Sequence, residues 1–357
     1  MQEEGQVIKV GISIGDLNGI GCEVILKTFE DSRMMELCTP VIFGSTKTLN
    51  FHRNHFGLDL SFQGISSPNQ AIAGKINVVN VWKEAPEIEF GKASESGGKY
   101  AILSLKAAVK ALKENLIDVL VTAPINKKTA QSDSFRFPGH TDYLAQELEG
   151  DSLMFMVTDN LKVGLLTDHV PVKDAPALIT AKRVMAKVQA MEDSLIRDFG
   201  INRPKIAVLG INPHSGDDGV IGTEDNEVLK PTLHKLNETK HLVFGPFAAD
   251  TFFASDQYLR YDGILACYHD QGLIPFKTLA FGKGVNFTAG LSRVRTSPDH
   301  GTAFDIAGKG EADPSSFREA VYTALHVFRN RMEFEDLTRN PLQKQRIKKS
   351  AKGDKEK

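Results

Sequence analysis

The sequence predicts an α/β protein, because short apolar runs alternate with amphipathic helical stretches along most of its 357 residues. Such alternation implies a mixed or parallel sheet covered by helices. Strand-like runs are Val7 to Ile14, Val41 to Phe43, Asn77 to Val81 and Val119 to Thr122. Between the last two runs, Ser94 is placed to cap a helix reaching Leu116, with Ile102, Leu105, Val109 and Leu112 on one face at spacings of three and four. A second helix is expected over Ala181 to Phe199, stopped by Gly200, and a third from about Ser316 to Met332. From Lys344 to Lys357 the chain is Lys-rich with little apolar content, and residues 341–357 are expected to form a disordered basic tail with no nucleic-acid role.

Hydrophobic content of 41%, charged content of 25% and a formal net charge of -2 describe a globular chain with no field strong enough to gather nucleic acid or anionic membrane. Cys22, Cys38 and Cys267 are widely spaced and form no CxxC pair, which suits a reducing compartment and a cytoplasmic protein. The opening MQEEGQVIKV has no signal-peptide character, and no apolar run approaches the ~18 to 20 residues that span a bilayer. No Pro/Gly/Ser-rich linker divides the chain, so two domains would have to share strands or be closely joined.

Three histidines each follow a strand-like run: VGLLTD before His169, IAVLGINP before His214 and ILACY before His269. Ligands in open α/β sheets collect at the carboxyl ends of strands, so three imidazoles placed there can converge on one metal. One such histidine alone reads as a hydrogen-bonded loop residue; three in equivalent positions favour the metal. NPHSGDDG and YHDQG set acidic or amide groups beside His214 and His269 to orient them. His52, His55, His234, His241 and His326 fall on predicted helices or polar turns and read as surface residues without a role.

PGHT, from Pro138 to Thr141, offers an imidazole and a hydroxyl beside a glycine, as an anion-binding corner requires. Lys277, Asn286 and Arg295 supply a point charge, a neutral donor and a planar fork, a set suited to a phosphate monoester. Arg295 to Gly310, RTSPDHGTAFDIAGKG, reads as a long functional loop between a strand and a helix.

His300 to Pro314 resembles the adenine-ribose loop of isopropylmalate and isocitrate dehydrogenases. GDLNGIG, TAPINK, FPGHTDYLA, NPHSGDDGVIGTED, GPFAADTFF, YDGILACYHDQGLIPFK, VNFTAGL and RTSPDHGTAFDIAGKG together resemble the 4-hydroxythreonine-4-phosphate dehydrogenase family of vitamin B6 synthesis, over nearly the whole chain. The resemblance implies a two-domain, isopropylmalate-dehydrogenase-like α/β/α sandwich rather than a Rossmann fold, consistent with the absence of GxGxxG after the first strand. In outline, residues 1–130 plus 285–340 would form a nucleotide and substrate domain, and 131–284 a metal-binding and dimerisation domain. It implies His169, His214 and His269 as ligands of one divalent cation per subunit, and His140, Thr141, Lys277, Asn286 and Arg295 as substrate contacts. Zinc is favoured, with cobalt, manganese or magnesium also compatible with three neutral imidazoles.

The implied reaction is NAD-dependent oxidation of 4-phosphooxy-L-threonine at C3, then decarboxylation to 3-amino-2-oxopropyl phosphate. His300, Gly301, Thr302 and Asp305 would hold the nucleotide, and an acid at Asp305 favours NAD over NADP by repelling a 2′-phosphate. Asp250, Asp270, Lys127 and a bound water are all candidates for the proton acceptor. The family also implies a homodimer with the active site at the subunit contact. Three motifs depart from its pattern: GDLNGIGCE replaces GDPAGIGPE, with Leu17, Asn18 and Cys22 for Pro, Ala and Pro, Asp168 enters a TTH run before His169, and Ser292 replaces a proline. Dehydrogenases of 4-phosphothreonate or 4-phosphoerythronate share most of these motifs. From other classes, a three-histidine metal hydrolase, a phosphate-binding acyl transferase and a metabolite-binding protein are rivals, and a dinucleotide loop at 300–310 argues against all three.

Overall fold

The computed structural model describes residues 7–132, 135–137, 139–150 and 152–341, without the side chain of Thr141. Thr141 as a contact, and almost all of the expected tail, therefore lie outside the described residues.

Twelve strands form one sheet: β1 (Lys9–Ser13), β2 (Thr39–Gly44), β3 (Phe62–Ile65), β4 (Ile76–Asn80), β5 (Val119–Thr122), β6 (Leu153–Val157), β7 (Lys162–Leu165), β8 (Lys205–Leu209), β9 (Leu242–Phe247), β10 (Gly263–Ala266), β11 (Val285–Ala289) and β12 (Val294–Pro298). Their order is β3-β4-β2-β1-β5-β12-β11-β6-β7-β10-β8-β9. The first six in this order are mutually parallel, and so are the last four. Between them β11 pairs antiparallel with β12 and with β6, and β6 antiparallel with β7, so the two parallel halves run in opposite directions. That reversal puts two strands of opposite direction, β11 and β6, at the centre of the sheet.

Helices cover both faces because the central strands are buried on both sides. Glu95–Lys113 starts where Ser94 Oγ accepts from Gly97 N (3.1 Å), and it buries Ile102, Leu105, Val109 and Leu112. Ala181–Arg197 is capped by Thr180, whose side chain accepts from Arg183 N, and is followed by Gly200 in a left-handed conformation (φ +68°). Ser315–Thr338 packs Phe317, Val321 and Leu325 into the core on the same side as Ala181–Arg197. No helix among the described residues is long and apolar enough to cross a membrane.

Two expectations fail. RTSP, read as the beginning of a loop, is the end of strand β12, and the irregular segment begins only at Asp299. Polar composition hid it: Thr296 is buried and donates to Ala320 O (2.7 Å), so its hydroxyl is satisfied within the core. His52, read as a surface residue, is fully buried on the inward face of Thr46–Phe56 with Leu49, among Phe51, Phe56 and Phe90. Neither ring nitrogen has a hydrogen-bond partner among the described residues, and burial, with His55 nearby, lowers its pKa to about 3.

Candidate functional site

A cleft of about 470 Å³ opens over the central strands where direction reverses. Register builds its floor. Ser297 on β12 faces Asn286 on β11, which faces Met156 on β6, and all three line the cleft. One row on, Arg295 lies beside Thr288, which pairs with Met154. Alternation along each strand aims these side chains at the same space.

Arg295 carries the decisive electrostatics. It is 1% exposed, and its guanidinium donates only to hydroxyls: Nη2 and Nε to Thr122 Oγ1 (2.6 and 3.2 Å) and Nη1 to Thr288 Oγ1 (3.2 Å). Among the described residues no carboxylate pairs with it. Burial lowers its pKa to about 9, which still leaves it charged at neutral pH. A buried unpaired charge is costly, so this side of the cleft is built to receive an anion. Asn286 Oδ1, His140 Nε2 and His300 Nε2 are buried in the same cleft without partners among the described residues. Burial, reinforced by Arg295 and Lys127, holds His140 well below the usual imidazole pKa and therefore neutral.

Two more cations complete the wall. Lys277, on helix His269–Ala280, donates to Asp299 O (2.8 Å) and lines the cleft. Lys127 comes from the loop after β5, which packs closely against two glycines. A Cβ at Gly15 (φ +71°) would collide with Pro124 O, and one at Gly98 with Thr129 O, so only glycine lets this loop approach.

Opposite the cations, His169 follows β7 and His269 begins the helix after β10, with ring centroids 5.7 Å apart. His269 Nδ1 lies 2.7 Å from Asp270 Oδ1, an arrangement that fixes the ring and leaves Nε2 available as a metal ligand. Burial lowers the pKa of His169, and Lys127 adds to the effect, keeping the imidazole in its neutral, ligating form. Two imidazoles and an orienting carboxylate fit a divalent cation of borderline softness.

His214 stands elsewhere. It does not line the cleft, and among the described residues no three His, Cys, Asp or Glu side chains are grouped to hold one ion. It is exposed on a left-handed run, His214 to Asp218, with φ between +43° and +82°. Such a conformation costs about 1–2 kcal/mol per non-glycine residue and is maintained only where surrounding structure enforces it. Asp225, fully buried beneath, accepts from Ile211 N (2.8 Å) and Asn212 N (3.0 Å) and pins the base of the loop. Asp250 is likewise exposed and outside the cleft, after the edge strand β9.

Of the nucleotide positions, His300 and Gly301 line the cleft, Thr302 O accepts from Ile20 N (3.1 Å), and Asp305 is exposed farther along the loop. One cleft carboxylate able to take part in chemistry was not singled out by the sequence reading. Asp142, in the first turn of His140–Glu147, lines the cleft near His169 and has no hydrogen-bond or ion-pair partner among the described residues. Its signal was only its place directly after PGHT.

An α/β protein with a cationic, partner-seeking cleft at the centre of its sheet and paired histidines on the rim is the class that fold and site define. The chain belongs to the family described as pyridoxal phosphate biosynthetic protein PdxA, whose model matches residues 36–324. It is 46% identical over 354 residues to a 4-hydroxythreonine-4-phosphate dehydrogenase of Bacteroides thetaiotaomicron, covering 99% of this chain and 97% of the relative. A protein of Oceanobacillus iheyensis, named for D-threonate 4-phosphate dehydrogenase activity, is 36% identical over 323 residues, covering 89% and 97%. The crystal structure of a 4-hydroxythreonine-4-phosphate dehydrogenase from Klebsiella pneumoniae superposes with a TM-score of 0.77 at 31% identity, covering 92% of this chain and 99% of that one.

Proposed function

We propose that the protein oxidises 4-phosphooxy-L-threonine at C3 with NAD and a divalent cation and decarboxylates the product to 3-amino-2-oxopropyl phosphate, a step of vitamin B6 biosynthesis. The observation that carries the reading is the buried, unpaired Arg295 among Lys127, Lys277 and Asn286, which calls for a compact dianion such as a phosphate monoester. Names of the relatives supply the reaction class: both are dehydrogenases of four-carbon phosphorylated acids.

His169, His269 and His214 would hold the cation. When bound, it supplies Lewis acidity at the C3 oxygen, and NAD supplies the hydride acceptor. Arg295, Lys277 and Asn286 hold the phosphate and neutral His140 donates to it, so the carbon chain reaches toward the histidine pair. Asp142, Lys127 and Asp270 are the groups in the cleft able to take the hydroxyl proton, and Asp142 is the carboxylate among them with no other partner. His300, Gly301, Thr302 and Asp305 would receive the nucleotide along the loop leaving the cleft.

Because one chain groups only two of the three histidines, the third would come from a second copy, making a homodimer with the site at the contact. Exposed apolar residues beside His214 support this: Val220 is 82% and Ile221 40% exposed, and Ile274 on the cleft rim is 64% exposed. The second substrate reading, 4-phosphothreonate, is favoured by the Oceanobacillus relative's name.

Purified protein with zinc, NAD and each of 4-phosphooxy-L-threonine, 4-phosphothreonate and 4-phosphoerythronate tests the reading. NADH absorbance with the amino acid above the other two, abolished by chelator, is expected. Turnover unaffected by chelator, or absent with all three, would contradict it.

A further inference from the structure

Strands β7, β10 and β8 lie side by side and end at Leu165, Ala266 and Leu209, each short of its histidine. Beyond those points backbone bonds still join β7 to β10, from Leu166 N to Ala266 O (2.8 Å) and Thr167 N to Cys267 O (3.2 Å), and a relay through side chains carries the connection on toward β8. Thr167 Oγ1 donates to Cys267 O (2.7 Å), Cys267 N donates to Gln271 Oε1 (2.7 Å), and Gln271 Nε2 donates to Gly210 O (2.6 Å). The Gln271 carboxamide thus acts as an extra peptide group between two strand ends, accepting from one and donating to the next.

We propose that Gln271 is a positioning residue, setting the spacing between the strand end that bears His269 and the one that bears His214, and through them the affinity for the divalent cation. The inference rests on the ligand set given under Proposed function. A chain keeps His269 for its own cleft and presents His214 at the sheet's outer side, so this carboxamide governs both the ligand that is used and the ligand that is lent. Methionine there would preserve length and bulk but leave Cys267 N–H and Gly210 C=O without these bonds. Glutamate would keep the acceptor, lose the donor and set a carboxylate against the Gly210 carbonyl.

The test compares full-length Gln271→Met and Gln271→Glu with the unsubstituted protein and with Leu325→Ala, a core truncation in helix Ser315–Thr338. Zinc affinity, read by competition with a chromophoric chelator, is expected to weaken about 10- to 100-fold in both Gln271 variants, the range typical of lost outer-shell support. In the metal-free proteins, amide hydrogen exchange at Cys267 and over 210–214 should accelerate. Leu325→Ala should lower the melting temperature at unchanged zinc affinity. If the Gln271 variants do not fold, Thr167→Val removes the adjoining bond of the relay and is read in the same way. Unchanged affinity in folded relay variants, or equal weakening in Leu325→Ala, overturns this inference alone. Failure of the unsubstituted protein to bind zinc overturns the ligand set and this inference together.

Discussion

The cleft wall around Arg295 and the loop bearing His214 are opposite kinds of construction. Arg295 sits in the middle of the sheet, locked by Thr122 and Thr288 and surrounded by core, so its charge is fixed before any ligand arrives. His214 is exposed on a left-handed turn beside apolar Val220 and Ile221, its base held from below by Asp225. One region is complete within a chain and waits for an anion. The other is shaped but exposed, and under the proposed homodimer the difference separates what a single chain builds from what a second copy would add.

The largest expected effect attacks the finished region. Arg295→Met should raise the KM for the phosphorylated substrate on the order of 100-fold, about 3 kcal/mol, by removing the charge that meets the dianion. The same substitution should raise the stability of the ligand-free protein by on the order of 1 kcal/mol, since it removes an unpaired buried cation. Urea denaturation checks this, and a loss of stability would show that the guanidinium serves the fold rather than the ligand.

A smaller effect probes the junction of the regions. Asp142→Asn should reduce kcat about tenfold or more while moving KM little, if its carboxylate takes the hydroxyl proton. A raised KM with kcat unchanged would make it a binding group instead.

An effect on stability alone lies away from both regions, at His52. Its folded pKa of about 3 is below the unfolded value near 6.5, so the unfolded chain takes up the proton first as pH falls. Stability from this group is fully present above about pH 6.5 and declines below it, by about 2 kcal/mol at pH 5. Denaturation of His52→Leu across that range should show a shallower pH slope than the unsubstituted protein, and identical slopes would refute the assignment.

Much of this was legible in the chain because buried parallel strands announce themselves as apolar runs. VGLLTD, IAVLGINP and ILACY located the ends of β7, β8 and β10 within a few residues. β12 was partly hidden because a buried strand carrying Arg295, Thr296 and Ser297 has the composition of a loop, and only tertiary partners satisfy those groups. His52 was missed although it lies three residues from Leu49, a spacing that places both on one helical face. Sequence spacing also cannot tell whether three strand-end histidines meet within one chain or across two.

That last distinction admits a direct test by mixing two separately inactive proteins, His214→Ala and His269→Ala. If His214 is lent across the dimer, subunit exchange creates mixed dimers with one intact site each, and activity should return to roughly a quarter of the unsubstituted level at equal mixing, as two-fold symmetry dictates. Mixtures that stay inactive after demonstrated subunit exchange would contradict the shared site.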